Sequence, residues 1–298
     1  MENFMIGQYG KFDYDKFYRD FRSNFYGIEA CLFQTQEDID HLVKESSNQG
    51  FNIGIHFPLR AGISKIRDPL FLCLDKEVRD HAFKIMEDEF NFIKEKKIKP
   101  QYILFHFPKP VILDKDVNWK NWRFADPIEY LFEAEYQFEE FKENSNCLFQ
   151  WLSEKGRQYN FTPILELDAL NKYIYDTQFI EEQLMLFPNI RVCLDLGRLH
   201  IQEQIDSRFI AMSIIEKFAP FTEIVHLWNV RVDENIDNNH YPALPNLKPK
   251  DGWAPIEKYL EQIKTINKNI KIMFEHRSDL ISDEELEECY SWINELIK

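Results

Sequence analysis

The chain has 298 residues, of which 44% are hydrophobic and 29% charged, a composition typical of globular proteins and unlike that of disordered or collagen-like chains. Its formal net charge of −15 repels polyanions at long range, which argues mildly against a nucleic-acid substrate. No apolar run reaches the ~18 to 20 residues of a membrane span, and no export signal opens the sequence, so we expect a cytoplasmic protein without a membrane partner.

Eight runs rich in Ile, Val, Leu, Phe and Tyr predict strands, and stretches with helical periodicity follow them. The predicted strands are Met5–Tyr9, Tyr26–Phe33, Asn52–Phe57, Tyr102–Phe107, Thr162–Leu167, Ile190–Leu196, Glu223–Asn229 and Ile270–His276. The predicted helices are Thr35–Asn48, Lys76–Lys97, Pro127–Tyr159 with an interruption open near residues 144–146, Asp176–Leu186, Asp206–Phe218, Pro255–Ile266 and Asp283–Leu296. Thr35 is expected to cap the first of these helices, with Asp38 completing its acidic first turn.

Eight strand–helix units without an internal linker rich in Gly, Pro or Ser favour a single α/β domain over residues 1–298, a (β/α)8 TIM barrel. The alternative is an open, doubly wound sheet. A Rossmann-type site in such a sheet needs a glycine-rich phosphate loop after the first strand, and this sequence has none there. In a barrel, the active site forms at the carboxyl ends of the strands.

Six predicted strands carry a polar residue near that end. These residues are His56, His106, Glu166, Asp195, His226 and Glu275. Any one of them alone is more simply explained as a hydrogen-bonded core residue. Three carboxylates and several imidazoles at the same end of the barrel would repel one another or lack hydrogen-bond partners. A divalent cation bound between them is the simplest explanation for the set. The four residues from Glu166 to Glu275, on successive strands, therefore predict a shared metal ion.

The order of these residues resembles the xylose isomerase-like barrel superfamily, which includes sugar epimerases, inosose dehydratases and the endonuclease IV group of abasic-site nucleases. The resemblance covers essentially the whole chain. It implies a metal ion held by Glu166, Asp195, His226 and Glu275, at the ends of the fifth to eighth strands. For this mainly oxygen-donor set we expect Mn²⁺, Mg²⁺ or Co²⁺, with Zn²⁺ as a further option.

Other histidines resemble ligands of the multi-zinc cluster in the nuclease branch. His56 and His106 match its third and fourth strands, and His240 matches the loop after its seventh strand. Two departures stand against a full match. Asn238-Asn239-His240 replaces an Asp-x-His ligand pair, and His200 follows the sixth-strand aspartate by five residues rather than three. The candidates for additional metal or substrate contacts are His56, His106, His200 and His240.

Further residues resemble the sugar-enzyme branch. Arg231 follows His226 by five residues and resembles the arginine that binds substrate hydroxyls in epimerases. The insert Lys109–Asp126 carries Trp119 and Trp122, which either cover a sugar face or pack the loop onto the barrel.

Three functions remain open, in decreasing order of support. The first is a metal-dependent isomerase or epimerase, or a related dehydratase, in which Glu166 and Glu275 exchange a proton with a small sugar or polyol. The second is a zinc-dependent phosphodiesterase of the abasic-site endonuclease type, with His56, His106 and His240 as ligands. The third is a barrel that binds a carbohydrate without turnover. A homodimer is an expectation for barrels of this kind.

Overall fold

The computed structural model describes residues 1–122, 124–233 and 236–298. Its strands are β1 (Phe4–Tyr9), β2 (Gly27–Cys31), β3 (Asn52–His56), β4 (Pro100–Phe107), β5 (Val111–Leu113), β6 (Tyr130–Phe132), β7 (Thr162–Leu167), β8 (Arg191–Asp195), β9 (Thr222–Leu227), β10 (Asn229–Val232), β11 (Ile236–Tyr241) and β12 (Lys271–Phe274). Its helices are α1 (Tyr14–Asp20), α2 (Gln36–Gln49), α3 (Lys76–Glu95), α4 (Phe138–Tyr159), α5 (Lys172–Tyr175), α6 (Phe179–Leu186), α7 (Leu196–Ile205), α8 (Ala211–Phe218), α9 (Ile256–Ile266) and α10 (Asp283–Ile297).

Eight of these strands form a closed parallel barrel in the order β1-β12-β9-β8-β7-β4-β3-β2, which confirms the predicted (β/α)8 fold. They are the eight strands that the sequence predicted, with shifts at their ends. Parallel barrel strands are covered on both faces, which is why they read as nearly continuous apolar runs. Two further pairs, β5 with β6 and β10 with β11, form separate two-stranded sheets.

Contacts divide the described chain into two compact units. The first unit comprises residues 1–7, 13–28 and 193–298, and within it β12 pairs with β1 and β9. The second unit comprises residues 8–12 and 29–192, and within it β4 pairs with β3 and β7. The single domain over residues 1–298 stays a prediction.

A glycine allows close packing between two strands of the second unit. A Cβ atom on Gly54 in β3 would lie 2.3 Å from the Tyr102 ring of β4, so a larger residue is excluded there. The Tyr102 hydroxyl donates a hydrogen bond of 2.7 Å to Oε2 of Glu29. The glycine thus lets a buried carboxylate in β2 find a donor.

The predicted cap at Thr35 is confirmed at the start of α2, where Thr35 and Asp38 form a capping box. The helix predicted over Pro127–Tyr159 is shorter, because a 3-10 turn and β6 come first and α4 begins at Phe138. α4 then continues past Asn144 without interruption, since the side-chain amide of this buried residue donates to the Tyr136 hydroxyl at 2.8 Å.

Other predicted helix starts were wrong. Over Asp206–Phe218, α8 begins only at Ala211, and the helix predicted over Asp176–Leu186 begins at Phe179. α7 was not predicted, because the aspartate read as a metal ligand also starts a helix: Asp195 Oδ1 accepts a hydrogen bond of 2.9 Å from the backbone nitrogen of Arg198. The short helix α1 was also missed. Among the described helices, none is both long and apolar enough to cross a membrane.

Candidate metal site

Two histidines and a glutamate converge in the second unit. The ligand atoms of His56, His106 and Glu166 lie within 4.8 Å of one another, and all three residues are buried. Oε2 of Glu166 is 3.1 Å from Nε2 of His56 and 3.5 Å from Nε2 of His106. His106 and Glu166 are register partners in β4 and β7. Neighbouring parallel strands therefore bring these side chains to one place.

Asp68, in the loop after β3, fixes the orientation of His106. Its Oδ2 atom lies 2.8 Å from Nδ1 of His106 and 3.0 Å from Nζ of Lys109. Burial alone would raise the pKa of Asp68, but His106 and Lys109 together hold this pKa well below its usual range. The ionised carboxylate accepts a hydrogen bond from Nδ1–H of His106, and the Nε2 atom of the same ring faces Glu166.

This donor arrangement fits a metal ion. Nε2 of His106 and Oε2 of Glu166 lie 3.5 Å apart, so one cation could be held by an imidazole nitrogen and a carboxylate oxygen together. Nδ1 of His56 lies 3.3 Å from the carbonyl oxygen of Phe57, so each histidine has an acceptor beside its Nδ1 atom, as is common for metal-ligating histidines. Burial, followed by the charge of Arg67, lowers the pKa of His56 and favours the neutral imidazole that a metal ion needs.

Three charged residues of this region were missed by the sequence analysis: Arg67, Asp68 and Lys109. They lie in loops, which lack the regular hydrophobic pattern by which a strand or helix shows which side chains face the site. Lys109 directly follows the strand motif of His106, which is the one signal that could have found it. Its Nζ atom also lies 2.8 Å from Oδ2 of Asp168. Asp168 therefore contacts Lys109, and the helix α5 that follows is capped by another residue, Asn171.

In the first unit, His226 and Glu275 lie together. Nδ1 of His226 is 3.4 Å from Oε2 of Glu275. His226 lies in β9 beside β12, and Glu275 comes directly after β12, so adjacent strands carry both residues to the same edge. The His226 side chain is completely buried, whereas Glu275 keeps 29% of its side-chain surface exposed. Glu275 can therefore meet a ligand from solvent.

The carboxylate of Asp195 is fixed from both sides. Oδ1 accepts the helix-capping hydrogen bond of α7, and Oδ2 accepts a hydrogen bond of 3.0 Å from Nε1 of Trp228. A Cβ atom on Gly197 would lie 2.4 Å from the Trp228 ring, so the glycine makes room for this indole. The position of Asp195 thus depends on a close approach that only glycine permits.

The other two candidate ligands, His200 and His240, have backbone partners. Nδ1 of His240 lies 3.0 Å from the carbonyl oxygen of Glu275, and its ring stacks on Trp228 with the centroids 4.2 Å apart. Nε2 of His200 lies 3.1 Å from the carbonyl oxygen of Gly252. Within residues 1–122, 124–233 and 236–298, the groups of three potential metal ligands include neither histidine. The side chain of Asn238, where the nuclease branch has an aspartate, lies outside the described part.

The residues predicted to bind substrate contact their own loops. Nη2 of Arg231 forms an exposed ion pair of 2.7 Å with Asp233. Nε1 of Trp119 donates a hydrogen bond of 2.8 Å to the carbonyl of Asp114, and its ring meets the buried Trp122 ring edge to face at 5.6 Å. These contacts pack the loop, and substrate binding by Arg231, Trp119 and Trp122 stays a prediction.

Solved structures with the same fold cover nearly the whole chain. A xylose isomerase domain containing protein from Salmonella typhimurium matches with a TM-score of 0.54 and 16% identity over 99% of this chain and 97% of that chain. The chain shares the TIM-barrel fold of that protein. A 3-keto-D-glucoside 4-epimerase from E. coli matches at a TM-score of 0.61 and 12% identity, with 98% of this chain and 99% of that chain covered.

The solved structures with a similar fold also include an endonuclease. An AP endonuclease of family 2 from Brucella melitensis matches with a TM-score of 0.57 and 15% identity over 99% of both chains. No family model and no curated protein matches the sequence. At such identities the likeness shows the fold alone, and a function has to be argued from the site.

Proposed function

We propose that this xylose isomerase-like barrel is a divalent-metal-dependent isomerase or epimerase, or a related dehydratase, that acts on a small sugar or polyol. The convergence of two imidazole Nε2 atoms on one buried carboxylate oxygen of Glu166 carries the proposed metal dependence, and the two strand-end glutamates Glu166 and Glu275 favour proton transfer to and from a sugar carbon. The cluster around Glu166 has the donors and the burial of a metal site.

The proposed metal ligands are Glu166, Asp195, His226 and Glu275. They stand at the carboxyl ends of β7, β8, β9 and β12, which are neighbours in the barrel order. His56 and His106 contact Glu166 and are proposed as additional ligands or as contacts that position it. A bound Mn²⁺, Mg²⁺, Co²⁺ or Zn²⁺ ion would supply Lewis-acid polarisation of substrate oxygens.

Glu166 and Glu275 are the proposed acid–base pair. In an epimerisation, one carboxylate removes a proton from the carbon beside a carbonyl, and the other returns a proton to the opposite face. Glu275 is partly exposed and lies beside the completely buried His226, whereas Glu166 is buried against His56. These different surroundings suit two carboxylates with separate roles.

A second candidate is a zinc-dependent phosphodiesterase that resembles the abasic-site endonuclease IV group. The histidine-rich set of His56, His106 and Glu166 favours it, because imidazole nitrogen is a preferred zinc ligand. Two observations count against it. Among the described residues, neither His200 nor His240 belongs to a group of three potential metal ligands, and the net charge of −15 repels DNA.

Metal content and turnover distinguish the two candidates. The protein is loaded with Mn²⁺, Co²⁺ or Zn²⁺, its metal is counted by mass spectrometry, and it is assayed on a panel of free ketoses and on abasic-site DNA. The proposal expects about one tightly bound ion per chain and metal-dependent interconversion of a ketose. Glu275→Gln should abolish turnover, while Glu284→Gln on the exposed face of α10 should not. Cleavage of the DNA with several zinc ions per chain would instead establish the nuclease.

A further inference from the structure

Arg67 places a positive charge beside the cluster of His56, His106 and Glu166. Its Nη2 atom lies 3.1 Å from both Nδ1 and Nε2 of His56. Equal distances to the two ring nitrogens put this atom over the ring face rather than in line with a lone pair. The same atom lies 3.4 Å from Sγ of Cys31, which is a weak acceptor.

In the described part of the chain, Arg67 has no carboxylate within ion-pair distance, and its buried Nε atom has no hydrogen-bond partner. Lys109 provides the contrast, since its ammonium contacts the carboxylates of both Asp68 and Asp168. The Arg67 side chain is largely buried, yet part of its surface stays accessible. Burial opposes the charge of Arg67, but nearby negative groups, Asp68 and Glu166 among them, raise its pKa, so its guanidinium stays charged. Because its buried Nε–H has no acceptor, the arrangement favours an oxyanion that arrives with a ligand.

We infer that Arg67 binds an oxyanion of the ligand, a carboxylate or a phosphate, beside the metal cluster. The planar guanidinium matches the geometry of both groups, and its unpartnered Nε–H is one of the donors that such a contact needs. The inference rests on the proposed function for the place of the ligand. It narrows the substrate class from small sugars in general to sugar acids or sugar phosphates.

The test measures anion binding by the metal-free full-length chain, so that a bound ion does not hold the probe. Inorganic phosphate, D-gluconate and the neutral D-fructose are titrated by calorimetry into the wild type and into Arg67→Met. The wild type should bind phosphate or gluconate in preference to fructose, and Arg67→Met should weaken that binding by about 10- to 100-fold. Lys65→Met, an exposed cation on the same loop, is the matched control and should bind as the wild type does.

The anion that binds identifies the source of the charge: phosphate points to a sugar phosphate and gluconate to a sugar acid. Circular dichroism checks folding, and Arg67→Gln replaces Arg67→Met if the latter does not fold. Equal anion binding by the wild type and the Arg67 variant, or no anion binding by the wild type, overturns the inference. In that case, metal-dependent turnover of a neutral sugar would still support the proposed function. Conversely, anion binding that depends on Arg67, without any metal-dependent turnover, would support this inference and contradict the proposed function.

Discussion

Asp68 Oδ2 lies 2.8 Å from Nδ1 of His106, while Nη2 of the preceding residue, Arg67, lies 3.1 Å from both ring nitrogens of His56. Two consecutive loop residues therefore act on the two histidines with opposite charges. The carboxylate fixes the Nδ1–H form of one ring, and the guanidinium, together with burial, lowers the pKa of the other. Although both histidines stand in the same His-Phe-Pro motif, they are chemically distinct.

Replacing Asp68 tests its role in preparing His106. In Asp68→Asn, an amide faces Nδ1 and the charge that stabilises the ligand geometry is lost. We expect the affinity for Zn²⁺ or Co²⁺ to fall by about 10- to 100-fold in calorimetric titrations. Asp116→Asn, an exposed change in a neighbouring loop, should keep the wild-type affinity. Unchanged metal affinity in Asp68→Asn would show that His106 is not a ligand oriented by this carboxylate.

Gly197→Ala should destabilise the fold by displacing Trp228 from Asp195. The added methyl group would lie 2.4 Å from the indole, so the ring has to move and its hydrogen bond to Oδ2 weakens. We expect a loss of about 1–3 kcal/mol in the free energy of unfolding, measured by urea titration. Gln204→Ala, on the exposed side of the same helix, should change the free energy by less than about 0.5 kcal/mol. A Gly197→Ala protein as stable as the wild type contradicts the packing argument.

His276 should make the fold less stable in acid. Burial, with the charges of Lys16 and Arg19, lowers its pKa to about 3, whereas the unfolded chain has a histidine pKa of about 6.5. Because the unfolded state takes up the proton first, this contribution to stability is complete above about pH 6.5 and is lost as the pH falls toward about 3.

The matching variant is His276→Gln, which removes the titrating group. The slope of unfolding free energy against pH between about 6.5 and 4 should become shallower, by up to about 1.4 kcal/mol per pH unit. Urea titrations at several pH values measure this slope. His81→Gln, at an exposed position of α3, serves as the control and should keep the wild-type slope. An unchanged slope in His276→Gln would mean that His276 is protonated as easily in the folded chain as in the unfolded one.

His240 separates a sugar enzyme from a multi-zinc nuclease. Its ring stacks on Trp228, and in the described part of the chain it belongs to no group of three potential metal ligands, so we assign it a packing role. His240→Ala should therefore leave the number of bound metal ions per chain unchanged when it is counted by mass spectrometry. The loss of one zinc ion per chain in this variant would instead identify His240 as a ligand.

The sequence predicted the strands and helices whose hydrophobic residues recur in a regular pattern. Continuous apolar strands ending in a polar residue identified His56, His106 and Glu166, and the barrel order made their convergence an expectation. Loop residues such as Arg67 and Asp68 have no such pattern, and their role depends on how the loop after β3 folds. The helix that starts at Asp195 was missed for another reason, since one aspartate serves as both candidate ligand and helix cap.

The most direct test of the central claim is solvent deuterium exchange. The metal-loaded protein is incubated in D₂O with ketoses, sugar acids and sugar phosphates, and ¹H NMR follows the C–H beside the carbonyl. We expect metal-dependent incorporation of deuterium at one carbon of a substrate, and its loss in Glu166→Gln and Glu275→Gln. If the metal-loaded wild type incorporates no deuterium into any of these compounds, or if both glutamine variants exchange as fast as the wild type, the proposed proton transfer is wrong.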